Sequence, residues 1–149
     1  MSVFPPFRAD HLGSLLRPPT LQATRANAKA GAIAAAELRA VEDALIRQAV
    51  ARQEALGLQV ATDGEYRREF WHLDFLRQLD GVALTAPVGM TFKAEDVPPM
   101  VTVTGKLACT RPIMVDDFAF LKAAVRTATP KLTVPSPAML HLRGGRRAI

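Results

Sequence analysis

Cysteine is almost absent: Cys109 is the only one among 149 residues. A single thiol excludes an intrachain disulfide framework and fits a reducing compartment. It also excludes a cysteine-rich zinc site. No apolar run reaches the roughly 18 residues that a membrane-spanning helix needs. The opening MSVFPPFRAD lacks a basic segment followed by an apolar one, so it does not read as a secretory signal. These absences predict a cytoplasmic protein without membrane contact. Aromatic residues are few as well, at 6%. None interleaves with the only dense basic cluster, Arg143, Arg146 and Arg147, as a platform for single-stranded nucleic acid would require. The formal net charge of +5 is otherwise scattered and often lies beside acids, as at Arg39, Glu42 and Asp43. Charge alone therefore predicts no nucleic-acid partner.

What is present is a hydrophobic content of 49%, enough for a sizeable core. Pro18 and Pro19 bias the backbone away from helix, and a short helix is expected from Thr20 to Ala30, stopped by Gly31. The clearest periodicity lies between Ala34 and Leu56. There Leu38, Val41, Leu45, Ala49, Arg52 and Leu56 recur at three- and four-residue steps; only Arg52 breaks the stripe, and its aliphatic stem can lie along an apolar surface. Glu, Arg and Gln are expected on the opposite face, and Gly57 ends the helix.

Leu58 to Thr62 reads as a strand, with Asp63, Gly64 and Glu65 as the loop at its carboxyl end. Helical character returns from Phe70 to Leu79, with Trp71, Phe75 and Leu79 as its core stripe. After Gly81 the pattern becomes irregular. Met100 to Thr104 then alternates as a strand, Asp116 to Ala128 forms a helix burying Phe118, Leu121, Ala124 and Val125, and Lys131 to Val134 is a last strand. Strands alternating with helices predict an α/β fold with a parallel sheet. A first strand near Phe7 and those at Leu58, Met100 and Lys131 are expected to run parallel through right-handed crossovers.

In such folds ligands collect at the carboxyl ends of the strands. His11, Leu12, Gly13 and Ser14 are expected at one such end, and Asp63 to Arg68 at another. A glycine followed by a hydroxyl lets backbone N–H groups approach a ligand, with Ser14 as an added donor. A carboxylate after Gly64 can accept from an ammonium group in a charge-assisted hydrogen bond.

These residues also carry a resemblance. Arg8 to Pro18, with His11, Gly13, Ser14 and Arg17, resembles the opening of the cobalamin-independent methionine synthase catalytic barrel, more closely the shorter bacterial methionine synthase II–like proteins. Thr62 to Arg68, followed by Trp71, His72, Asp74 and Phe75, is similar to that family's second motif. Val97 to Gly105 and the turn Val134, Pro135, Ser136, Pro137 follow in the family's order. The resemblance implies a (β/α)8 TIM barrel that moves a methyl group from a methylated, polyglutamylated folate to homocysteine, giving methionine without cobalamin. It further implies a zinc ion that holds homocysteine as thiolate. Gly13, Ser14 and Glu65 would bind the amino-acid part of homocysteine or methionine. His11, Asp63 and His72 stand as possible neighbours of that site.

The zinc ligands implied by the resemblance come from later strands. A complete barrel takes roughly 250 residues, so this chain reads as an incomplete barrel of roughly three or four units, residues 1–149 being its truncated N-terminal part. It is expected to be inactive alone, to hold no stoichiometric zinc with only His11, His72, His141 and Cys109 dispersed along it, and to self-associate through an open sheet edge. Two other readings stay open. One is a uroporphyrinogen decarboxylase-like barrel, which would favour arginine-rich contacts to propionates. The other is a non-enzymatic remnant. Cys109 reads as a structural thiol, His11 as a hydrogen-bonded structural histidine, and His141 has no role.

Overall fold

The computed structural model describes residues 9–85 and 99–142, the last two by backbone alone. In chain order the elements are α1 (Pro19–Lys29), α2 (Ala35–Ala55), β1 (Val60–Ala61), α3 (Leu73–Leu76), β2 (Asp80–Thr85), β3 (Met100–Ala108), α4 (Val115–Ala124), β4 (Thr129–Pro130) and α5 (Met139–Leu142). Among the described residues the fold is mixed α/β with one parallel strand pair. It divides into two compact units, Met1–Arg67 with Val115–Thr133 and Arg68–Met114 with Val134–Ile149.

The first unit holds α1, α2, β1, α4 and β4. Pro19 begins α1, where its missing N–H costs no intrahelical bond. At the start of α2 the Glu37 carboxylate accepts from the Ala34 N–H at 2.9 Å, satisfying a donor that the helix leaves unpaired. Leu21, Ile46, Val50, Ala61, Tyr66 and Leu121 form the buried core, with Leu38, Leu45, Ala49, Phe118, Ala124 and Val125 packed against it. Full burial of a side chain such as Ile46 contributes about 1.5–3 kcal/mol.

The expected apolar stripe of α2 is rotated in the structure. Its buried positions are Glu42, Ile46, Val50 and Gln53, whereas Leu56 is 71% exposed and Arg52 lies in solvent. Two polar residues, Glu42 and Gln53, join the buried face because both have partners. Gln53 donates to the Thr62 carbonyl at 2.9 Å and accepts from the Thr62 N–H at 3.0 Å. Glu42 pairs with Arg25 at 3.3 Å. Burial raises the Glu42 carboxyl above its ordinary pKa, and Arg25 opposes the shift.

β1 pairs with β4 in parallel, Val60 opposite Thr129 and Ala61 opposite Pro130. The predicted parallel relation of these two strands therefore holds, although the ladder falls at Thr129–Pro130 and not within Lys131 to Val134. Pro130 is tolerated because its neighbours make the bonds: Thr129 donates to Gln59 at 2.8 Å and Lys131 to Ala61 at 2.9 Å. The expected strand at Phe7 lies outside the described residues.

The second unit corrects the sequence reading more sharply. Met100 does begin a strand, but β3 runs antiparallel to β2, with Val82 opposite Val103 and Thr85 opposite Met100. Among the described residues the strand at Met100 therefore pairs antiparallel and not in parallel as expected. β2 itself lies where irregular chain was expected, and Gly81 sits at a register shift between Asp80 and Val82. Its φ is +77°, and a Cβ there would meet the Lys106 carbonyl oxygen at 2.6 Å. The predicted helix from Phe70 to Leu79 shrinks to α3. Leu73, Leu76, Val101 and Leu140 make this unit's core, with Phe70, Phe75, Leu79, Val82 and Met139 against it. Trp71, expected inside, is 43% exposed. The Asp74 carboxylate explains the delayed start of α3: it accepts from the N–H groups of Glu69 and Phe70 at 2.6 and 3.0 Å.

Candidate amino-acid-binding loops

β1 leads directly into the second motif, and the first motif lies against it. The Thr62 hydroxyl donates to the Gly13 carbonyl at 2.7 Å, and the Leu15 N–H donates to the Gly64 carbonyl at 3.1 Å. Tyr66 donates its phenol to the Leu16 carbonyl at 3.1 Å. Burial raises the pKa of that phenol. Three bonds thus tie residues 13–16 to residues 62–66, so both predicted loops meet at the carboxyl end of β1.

Glu65 is 4% exposed and adopts φ +57°. A non-glycine residue in this left-handed region carries strain of about 1–3 kcal/mol, which surrounding contacts must offset. They are present on every side. The Asp63 carboxylate accepts from the Glu65 N–H at 2.9 Å, closing an Asx turn. Arg17 donates to the Glu65 carbonyl at 3.3 Å. Arg25 donates to the next carbonyl, that of Tyr66. Arg67 is anchored by an ion pair with Asp43, a second with Asp117 at 3.5 Å, and a stack over Phe120 at 4.4 Å. Arginine suits this task because its planar, permanently charged fork can bond and stack at once.

Gly13 is buried, with φ +146°. A Cβ built there would lie 2.2 Å from Cγ2 of Thr133, a contact no side chain could accommodate without movement. Ser14, next to it, is exposed. The Thr133 hydroxyl donates to Oε1 of Glu65 at 2.8 Å. Lys131 bonds the Asp10 carboxylate at 2.7 Å and the His11 carbonyl. The Lys131 hydrogen bond holds the Asp10 carboxyl below its usual pKa.

The predicted site residues therefore separate by position. Gly13, Ser14, Asp63 and Glu65 come together in the first unit, and His11 flanks them. The His11 ring nitrogens are shielded and meet no hydrogen-bond partner among the described residues, unlike the bonded histidine the sequence suggested. His72 belongs to the second unit, where it is 2% exposed and packs against the Trp71 ring with centroids 4.8 Å apart. Cys109 is exposed, and its thiol donates to the Arg111 carbonyl at 3.3 Å. Sequence reasoning missed Arg25, Gln53 and Thr133. Gln53 could have been found, since Glu42, Ile46, Val50 and Gln53 already follow helical spacing once polar residues are admitted to the buried face.

In mixed α/β folds the carboxyl ends of parallel strands are where small ligands characteristically bind, and the two motif loops lie at such an end. Comparison with known proteins is specific about the family. Residues 8–133 match the family described as cobalamin-independent synthase, catalytic domain. This chain belongs to that family, which decides against the decarboxylase-like barrel. It is 43% identical over 142 residues to the Bacillus subtilis protein YxjG, covering 94% of this chain and 38% of that one. It is 30% identical over 126 residues to a methionine synthase of Sulfurisphaera tokodaii, covering 85% and 37% respectively. A solved structure from Listeria monocytogenes, assigned as a vitamin-B12-independent methionine synthase, superposes with a TM-score of 0.76 at 42% identity. That match covers 93% of this chain and 39% of the Listeria chain. The chain thus spans under two-fifths of the length of these relatives.

Among the described residues no helix is long and apolar enough to cross a membrane.

Proposed function

We propose that this chain supplies the amino-acid-binding loops of a (β/α)8 barrel that transfers a methyl group from a polyglutamylated 5-methyltetrahydrofolate to the sulfur of homocysteine. The observation that carries this reading is Glu65: a strained, buried carboxylate fixed at a strand end beside buried Gly13 and exposed Ser14. Backbone strain of this kind gathers at ligand sites because a folded scaffold can impose it there. Glu65 then accepts hydrogen bonds from the ammonium group of homocysteine or methionine. The Gly13 and Ser14 backbone and the Ser14 hydroxyl face the amino acid's carboxylate, and Gly13, having no side chain, lets this loop seat against Thr133. Asp63 shapes the turn that presents Glu65, and His11 lines the first loop. The methionine synthase from Sulfurisphaera tokodaii supports the choice of reaction.

The zinc that the resemblance implies does not fit the described residues: no group of three His, Cys, Asp or Glu side chains among them could hold a metal ion. Their part is binding and orienting the amino acid. Self-association belongs to the same reading, because β1 and β4 pair only with each other among the described residues. A melting temperature that rises with protein concentration would show it.

A chimera tests the function. The matching segment of the Listeria relative is replaced by this chain, and methionine formation from homocysteine and polyglutamyl methyltetrahydrofolate is measured. The chimera is expected to form methionine and the isolated chain to form none. A folded chimera that binds the folate yet forms no methionine contradicts the proposal.

A further inference from the structure

Thr133 lies three residues beyond the end of β4, and its one side chain meets both motif loops. Its hydroxyl donates to Oε1 of Glu65 at 2.8 Å. Its methyl carbon fills the space beside Gly13, only 2.2 Å from where a Cβ would stand. Lys131, just past the end of β4, reaches the first loop through Asp10 and the His11 carbonyl. The carboxyl end of β4 therefore sets the distance between the two loops.

We infer that Thr133 is a positioning residue of the amino-acid site, directing the Glu65 carboxylate toward the ammonium group of a bound α-amino acid. This rests on the amino-acid-binding role proposed for Glu65. A carboxylate has two oxygens and about four lone-pair sites, and an unrestrained glutamate rotates about its terminal torsion. The threonine hydroxyl occupies one lone pair of Oε1 and so fixes the plane of the carboxylate. Its methyl group, lodged against Gly13, keeps the hydroxyl from turning away. Glu65 is thereby set before the ligand arrives, which lowers the ordering cost of binding. Threonine is the smallest residue that provides both groups: serine lacks the methyl, and valine lacks the donor.

The test uses the full chain, titrated by NMR with L-methionine and with the analogue of methionine that lacks the α-amino group. Thr133→Val is expected to weaken L-methionine binding by about tenfold, the size of a lost hydrogen bond to a charged group. Binding of the des-amino analogue should be unchanged, because the effect acts through the ammonium. Thr133→Ser, which keeps the donor, should restore L-methionine affinity to within about threefold of the wild type. If Thr133→Val does not fold, Thr133→Ala takes its place under the same criteria. Unchanged L-methionine affinity in the valine variant overturns the inference. So does an equal loss for both ligands, or an equal loss in the serine and valine variants, since either marks simple packing. A wild-type chain that binds neither ligand overturns the amino-acid site itself, an outcome distinct from the failure of Thr133 alone.

Discussion

Thr62 donates its hydroxyl hydrogen to the carbonyl of Gly13 across 2.7 Å, fastening the first motif loop to the strand that carries the second. The same oxygen accepts from the Gly64 N–H at 3.2 Å, so one buried hydroxyl serves both loops. The Thr133 side chain, 2.2 Å from where a Cβ would stand, leaves no room for a larger residue at position 13. Gly13→Ala is expected to destabilise the fold by about 2–3 kcal/mol, from overpacking together with a φ that alanine disfavours. Urea unfolding measures it. Thr133→Ser in the Gly13→Ala background should recover part of the loss, because it removes the methyl carbon in collision. A purely additive double mutant would mean that the two side chains do not meet.

Arg67 carries the second prediction. Its side chain is 4% exposed and holds Asp43 and Asp117 on two different helices while stacking on Phe120. Arg67→Met keeps much of the volume and leaves both aspartates without this partner. Both aspartates are partly exposed and keep Arg39, so the expected cost is about 1.5–3 kcal/mol, the scale of a hydrogen bond to a charged group. Chemical denaturation reads the loss, and a variant as stable as the wild type would show that the network is dispensable.

Glu54 predicts an acid-dependent stability. Its carboxylate accepts from the N–H groups of Arg126, Thr127 and Ala128 at 2.8, 2.7 and 3.0 Å. These bonds, that of Thr127 foremost, lower its pKa from 4.5 to about 2. The folded-state value lies below the unfolded one, so the stabilisation is complete above about pH 4.5 and is lost as pH falls toward 2. Glu54→Gln should therefore be less stable than the wild type at neutral pH, with the gap closing across that window. Melting temperatures measured from pH 7 to pH 2 follow it. A gap that stays constant with pH would refute the carboxylate cap.

Local signals in the sequence read well where periodicity and glycine punctuation decided the structure. α1, α2 and α4 appear close to their expected places, and the loops at residues 13–14 and 63–65 do meet. The failures have physical causes. Gln53 and Glu42 are buried because specific partners satisfy them, and pattern reading counts them as solvent-facing. β2 escaped notice because Gly81 resembles a breaker, whereas in the structure it sits at the register shift between Asp80 and Val82 and both of these stay in the ladder. The direction of β3 depends on that hidden partner, so a strand recognised correctly was paired wrongly. Thr133 carries no local signal, since its importance lies in contacts to residues 68 and more positions away in sequence.

Calorimetric titration of the wild type and Glu65→Gln with L-homocysteine tests the central claim most directly. Glutamine keeps the size of the side chain and removes its charge. The account predicts binding to the wild type and a loss of about 1.5–3 kcal/mol in the variant, the scale of a hydrogen bond to a charged group. Equal affinities in two equally folded proteins would contradict it and remove Glu65 from the site.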